Sequence, residues 1–466
     1  MGLVVLAVAL GFAAARSPNV AVLMIGVVLT PLAARARPPG LVLLAFGAAW
    51  IGPTTTAWLE FPRVFDFASI PLIALAFTVA LYEYRRVPRP STSISSAVAW
   101  LPFMAFALSA LIHGTHPTRY VASTVLYLLP FLAIVALTRV ELSVRQRRTV
   151  ITTVTLVLIG QVPFALVQAA QSSNADDVKG TLLGTGAGHH VLGSVALVGS
   201  LALPALWRTP NPVLLGSVFV GFFIAWLSDS LIPLFIVPPL IPLVALLKLP
   251  PKPDPAWRRV RAQVLVMSLI VAGVFGFVVD SGGLGGGTQV KITNTLNPDR
   301  GKQAVARLLV VDLTERPVSV LFGLGPAETV SRLSQLTTPS GSKEGSPVQA
   351  LGLAPSQHYD EYRIAARIPA GQGSSLTSAT SSTLGLLGDF GIVGVLCYGW
   401  AFLHVARRVW RLGTVLGAVA LVGWIAMLLL GGAYDWLEQP PYTLTAAIVV
   451  GLALTDPAVR DRRGPR

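Results

Sequence analysis

Charge is what this chain has least of: only 12% of its 466 residues are Asp, Glu, Lys or Arg, while 53% are hydrophobic. Cysteine occurs once, at Cys397, which excludes an intramolecular disulfide and reads as a small buried hydrophobe. There is no Cys/His metal spacing, no phosphate-cradling glycine–lysine motif and no nucleophile elbow. The short alternating segments of a membrane β-barrel are missing, and so is an internal repeat of the kind many transporters carry. Acids are nearly absent from the apolar runs. Asp229, Asp280, Asp389, Asp435 and Glu438 fall at their ends, so the mid-membrane partners that ion-coupled transport uses are lacking.

What is there is a long series of apolar runs, many of the roughly 17–25 residues that cross a bilayer. The pattern predicts helices near 3–15, 19–34, 40–57, 66–82, 96–112, 119–138, 149–170, 189–207, 212–227, 230–247 and 263–280. Three more are predicted near 382–405, 413–430 and 439–455. The expected fold is an all-α polytopic integral membrane protein with about 12–14 transmembrane helices and one large extracytoplasmic loop. The chain divides into an N-terminal membrane-helix bundle (1–280), the large loop (281–379), C-terminal membrane helices (380–455) and a basic tail (456–466). The N-terminus lacks a basic region before its apolar run and reads as a retained helix.

Basic residues crowd alternate loops. Arg85, Arg86 and Arg89 share a side with Arg139, Arg145, Arg147 and Arg148, and with Arg407, Arg408 and Arg411. In all, 22 of the 35 basic residues fall on that side beside five acids, and 13 basic and 16 acidic residues fall on the other. The net charge of +14 is therefore +17 on one side and −3 on the other. By the positive-inside rule the first side, with both termini, is cytoplasmic and the large loop faces outward. The charge reflects topology and gives no nucleic-acid footprint.

Three outward segments have residues suited to chemistry. The first, 176–193, holds Lys179, His189 and His190 among glycines ahead of a helix whose free N–H groups suit an anion. A flexible loop with interfacial histidines explains the same residues. The second, 297–328, contains an amphipathic helix over 302–315, with Val305, Leu308 and Leu309 on one face, ending before Pro317. Arg300 and Arg307 fall seven apart on it, and guanidinium groups grip phosphate oxygens bidentately. A solvated basic face is the plainer alternative. The third, 358–367, gathers His358, Asp360, Glu361, Arg363 and Arg367, from which an acid, a base and a phosphate clamp could be drawn. Local salt bridges on a surface helix account for these too.

Taken together, the segments resemble the O-antigen ligase and O-antigen polymerase superfamily over roughly residues 180–405. Gly184-Thr185 followed by His190-Val191-Leu192-Gly193 is similar to that family's Gly-Thr…Asn-x-x-Gly start of a mid-chain helix, with histidine in place of asparagine. Lys179 lies near a position where members often have arginine. Arg300, then Pro317 and Gly323-Leu324-Gly325-Pro326, resembles the family's arginine–helix–proline–GxGP run. Gly388-Asp389-Phe390-Gly391-Ile392-Val393-Gly394 is similar to the helix start that follows the family's large loop. Two features depart from the pattern. Thr380 and Ser381 stand where members carry a His-Asn pair, whose histidine is a proposed catalytic residue, and Ser228-Asp229-Ser230 stands where a Ser-Arg pair is common.

The resemblance implies a glycosyltransferase in the bacterial cytoplasmic membrane. It would move a polyprenyl-diphosphate-linked oligosaccharide to a glycan or lipid acceptor hydroxyl, without metal or other cofactor. On it, Arg300 and Arg307 hold the diphosphate, supported by Lys179 and His190, His358 is the substitute base, and Arg363 and Arg367 line the substrate groove. The first outward loop, around Arg16 to Asn19, has no carboxylate with which to hold a metal as many polyprenyl-dependent glycosyltransferases do. Two other classes stay open: a lipid-glycan transporter or flippase, marked by charged groups lining a central passage, and a non-catalytic envelope-assembly protein, marked by site residues that point apart.

Overall fold

The computed structural model describes residues 38–58, 68–84, 93–172, 177–182, 188–207, 211–247, 273, 301–338, 355–366 and 379–457. Among these residues every element is helical. The first eight helices are α1 (Pro38–Trp58), α2 (Ser69–Tyr84), α3 (Ala97–Ile112), α4 (Pro117–Thr138), α5 (Val144–Gln171), α6 (Gly188–Trp207), α7 (Asn211–Leu227) and α8 (Leu231–Leu247). Four shorter helices follow, α9 (Gly301–Thr314), α10 (Pro317–Phe322), α11 (Arg332–Thr337) and α12 (Tyr359–Ala365). The last are α13 (Ser382–Trp410), α14 (Val415–Ala433) and α15 (Pro440–Leu454), with a 3-10 turn at Trp436–Glu438 before α15. The five helices α4, α5, α6, α13 and α14 are long and apolar enough to cross a membrane, and shorter apolar helices pack beside them. The chain is a multi-pass membrane protein.

The spans expected near 3–15, 19–34 and 263–280 lie outside the described residues, apart from Gly273. The others appear with small shifts that have local causes. α5 starts at Val144, ahead of the expected 149, because Ser143 and Gln146 form a reciprocal capping box: Gln146 N–H donates to Ser143 Oγ at 3.2 Å and Ser143 N–H to Gln146 Oε1 at 2.9 Å. α13 runs on to Trp410 with Arg407 and Arg408 in its last turn, where cations complement the carbonyl end.

α4 and α15 form the centre of the bundle, packed on each other, and α15 is buried on every side. A helix that is apolar all round fits only such a place or a lipid contact. Two side chains tie α13, α14 and α15 together through backbone carbonyls: Trp424 Nε1 of α14 donates to Phe402 O of α13 at 3.1 Å, and the Tyr442 hydroxyl of α15 donates to Gly423 O of α14 at 3.2 Å. The periphery leaves large apolar side chains exposed, among them Leu156 and Val167 on α5, Trp226 on α7 and Leu396 and Leu403 on α13, as a lipid-facing belt requires.

The bundle has two distinct ends. At one, Ile94 N–H donates to Thr138 Oγ1 at 3.2 Å, and Arg147 donates to Leu452 O at 2.8 Å and faces Asp456 at 3.9 Å. At the other, helices α9 to α12 cover the ends of α3, α4 and α13, forming a roof. The roof has its own small core, Val305, Leu309 and Leu313 of α9 against Val330, Tyr362, Ala366 and Ala379. α9 thus buries the face expected from the sequence, with Leu308 at its edge.

Candidate functional site

The roof is fixed to the bundle by two glycine-containing turns that interlock. α13 is broken at Gly391, whose φ of 66° and ψ of −168° are not helical. A Cβ there would strike the Leu321 carbonyl group, and one on Gly323, at φ 77°, would strike the backbone of Asp389 and Phe390. This close approach lets Leu324 N–H donate to Gly388 O at 2.7 Å. The Asp389 carboxylate, fully buried, accepts the Ala327, Glu328 and Thr329 N–H groups at 2.9, 3.2 and 3.0 Å and the Thr329 hydroxyl at 2.7 Å. Four donors saturate it, so Asp389 acts as a clamp on the turn.

Beside this clamp, a polar cluster surrounds Tyr434. His190, in the first turn of α6, places Nε2 3.5 Å from the Tyr434 hydroxyl, with ring centres 5.0 Å apart. Lys302, in the first turn of α9, donates from Nζ to the Thr380 carbonyl and stands 5.8 Å from the centre of the Tyr434 ring. Ser382, at the start of α13, donates its N–H to Tyr434 O at 2.8 Å. Residues from the first turns of three helices therefore reach one tyrosine, α9 through its Lys302 side chain. Trp436 lies against the Tyr434 ring, centres 4.3 Å apart, and its Nε1 donates to Ser194 Oγ at 3.0 Å.

The acids of the cluster are engaged. Asp435 accepts Arg332 Nη1 at 2.7 Å and Gln439 Nε2 at 2.8 Å. Glu438 accepts the Arg332 N–H on both oxygens, at 3.1 and 3.0 Å. Burial pushes the Glu438 carboxyl up to about 8; the Arg332 N–H pulls it back, while Asp435 and Asp389 push further. Burial also pushes the Lys302 ammonium down to about 7, against the opposing pull of Asp435. The lysine stem keeps some exposure, and it is the nitrogen, pressed on a carbonyl and a ring, that is desolvated.

A cavity of about 760 Å³ opens on the other side of α12. Its walls hold three histidines, His113, His116 and His358, and two arginines, Arg119 and Arg316. Four carboxylates face them: Asp312, Glu315, Glu328 and Glu361. Arg119 pairs with Glu328 and donates to Pro355 O at 2.7 Å. Asp312 accepts the Tyr362 hydroxyl at 2.6 Å, and His358 Nδ1 lies 3.5 Å from Glu361. Burial lowers the basicity of His113; a backbone bond with Gly323 opposes this and Arg316 adds to it. α12 is the partition, for the Tyr359 hydroxyl reaches Thr380 Oγ1 at 3.4 Å while His358 and Glu361 face the cavity.

The residues expected from the sequence are thus dispersed. His190 belongs to the Tyr434 cluster and His358 to the cavity. Arg307 is exposed on α9, and Arg363 pairs with Asp360 at 3.2 Å on the exposed face of α12. Lys179 lies in the turn after α5, its N–H donating to Gln168 Oε1 at 2.8 Å. Arg300 and Arg367 lie outside the described residues. Sequence reasoning passed over Lys302, Arg332, Tyr434 and, in the cavity, His113, Arg119 and Arg316. A signal existed for some of them: Lys302 stands two residues after Arg300, and Tyr434-Asp435-Trp436-Leu437-Glu438 packs two aromatics and two acids into one short turn. Among the described residues, no group of three or more His, Cys, Asp or Glu is placed to hold a metal ion. No protein-family model and no curated protein matches the chain.

Proposed function

We propose that the chain is a glycosyltransferase of the O-antigen ligase and polymerase type, with the Tyr434 cluster as the seat of the donor diphosphate. It moves a polyprenyl-diphosphate-linked glycan to an acceptor hydroxyl at the outer face of a bacterial cytoplasmic membrane. The 12–14 spans and the outward-facing roof belong to the same proposal. One observation carries it: the N-terminal turns of α6, α9 and α13 converge on Tyr434 together with Lys302 and His190. Each helix N-terminus presents roughly half a positive charge, and such ends favour phosphate groups. Further support comes from the contact between Gly323–Pro326 and Gly388–Gly391, since the family resemblance rests on both stretches.

In the reaction, the acceptor oxygen bonds to the anomeric carbon as the bond from that carbon to the diphosphate oxygen breaks. The hydroxyl proton passes to the Lys302 amine, which a pKa of about 7 leaves substantially unprotonated at neutral pH. Lys302 stands against Thr380, the position at which members of the family that the sequence resembles carry histidine. The charge developing on the departing polyprenyl diphosphate is met by preorganised positive groups, the three helix ends and His190, with Arg300 and Lys179 as further cations. A transporter would need charged groups along the middle of the bundle. Among the described residues, the buried charged side chains Arg119, Arg139, His189, His190, Asp435, Glu438 and Asp456 lie at helix ends, and Asp389 lies within α13 beside its break at Gly391, where the roof turn holds it.

The test is transfer in proteoliposomes loaded with a polyprenyl-diphosphate oligosaccharide, analysed by gel and mass spectrometry. The native chain should consume the donor and the Lys302→Met variant should not. Lengthened glycan on the carrier identifies a polymerase, and intact glycan moved to another acceptor identifies a ligase. If the native chain leaves donor untouched with every acceptor offered, the proposal fails.

A further inference from the structure

The cavity beside α12 has a chemistry that the diphosphate seat does not explain. We infer that it binds the acceptor saccharide, and that it selects sugars without carboxylate groups, whether neutral or amino-bearing. The inference rests on the transferase reading and adds to it the class of acceptor.

Size comes first: about 760 Å³ lies within the roughly 300–1,000 Å³ of small-molecule sites. Such sites are mostly apolar, yet Leu324 is the single large apolar side chain in this lining. A lipid tail has nothing to bury against there. A sugar does, because each hydroxyl both donates and accepts, and the walls alternate carboxylate acceptors with arginine and histidine groups.

Charge decides which sugar. Two arginines oppose four carboxylates, an excess of two carboxylates over guanidinium groups. A uronic acid or phosphorylated sugar entering this space meets like charge, whereas an amine meets Glu315 and Glu361. The walls are also set before any ligand arrives. Tyr362 holds Asp312, Arg119 holds Glu328, and Gln357 N–H donates to Glu328 Oε2 at 2.8 Å. His113 Nε2 is buried and has no hydrogen-bond partner among the described residues, so a ligand hydroxyl would satisfy it. α12 joins the two places, so a sugar held by His358 and Glu361 lies one helix away from Thr380 and Lys302.

The experiment uses the full chain in lipid nanodiscs and three soluble probes: maltotriose, the fully de-N-acetylated chitosan trimer and trigalacturonate. Binding is read by saturation-transfer NMR and by native mass spectrometry at low salt. The neutral and amino trimers should bind, and trigalacturonate should bind about tenfold more weakly. Glu315→Gln with Glu361→Gln should shrink that gap to about threefold, and both residues are exposed, so folding is not at stake. Equal or stronger binding of trigalacturonate, binding of none of the three, or a gap unmoved by the double variant would overturn the inference. Donor consumption, measured in parallel, separates the two claims. Selective sugar binding without donor turnover removes the transferase reading alone, and turnover without sugar selectivity removes the cavity inference alone.

Discussion

Around Tyr434 the carboxylates are engaged, Asp435 by Arg332 and Gln439, and Glu438 by burial and the Arg332 N–H, so that Lys302 and three helix ends set the field. Across α12 the balance reverses: four carboxylates face two arginines, and water reaches most of them. Similar residue types thus make a buried cluster around Tyr434 and a wet, carboxylate-rich cavity across α12. The difference comes from the backbone. Helix N-termini converge on the first site, whereas α9 presents Asp312 near its C-terminal end to the second. A transferase joining a diphosphate donor to a polyhydroxylated acceptor has use for both fields.

The comparison breaks most severely if the dry side loses its charge balance. Arg332→Ala leaves Asp435 without its ion pair and should cost about 3–5 kcal/mol of stability, read as a fall in the unfolding midpoint in detergent. Lys302→Met should cut transfer about 100-fold or more with the fold intact. Lys302→Arg should be equally inactive, since it keeps the cation and loses the proton acceptor. In the native chain the rate should rise through about pH 7, following Lys302 deprotonation; a pH–rate profile unchanged in Lys302→Arg would remove the lysine from the mechanism.

Glu438 offers a subtler probe. Its carboxyl titrates near 8 when folded against an ordinary 4.5, so the folded chain holds an extra proton between those values. The stability it contributes is complete below about pH 4.5 and is lost as pH rises through about 8. The unfolding midpoint should therefore fall by about 5 °C between pH 5 and pH 8, and Glu438→Gln should flatten the slope. Smallest of all, Arg363→Ala removes an exposed pair with Asp360 and should stay within about 0.5 kcal/mol and leave transfer unchanged. A large loss there would restore Arg363 to the substrate groove.

Much of the bundle was legible because a bilayer demands long apolar runs and the loops between them differ in charge. Helix ends such as Val144, set by the Ser143–Gln146 capping box, and Trp410, with Arg407 and Arg408 in the last turn, depend on local effects that span only a turn. The amphipathic face of α9 was legible too, as Val305 and Leu309 repeat at helical spacing. The site was harder. Tyr434 and Lys302 are 132 residues apart and carry no spacing signal toward each other; only the docking of α9 onto α13 brings them together. His190 and His358, both plausible from composition, separated because α12 stands between their environments.

The Asp389 clamp also bears on how the chain is made. The N–H groups it collects belong to residues 327–329, synthesised 60 to 62 residues before the carboxylate that holds them. Until α13 has been inserted, that turn has no carboxylate to close on, and its three amides stay with water. The roof is therefore assembled late, and a ribosome stalled before α13 would leave it hanging from a bundle already in the bilayer.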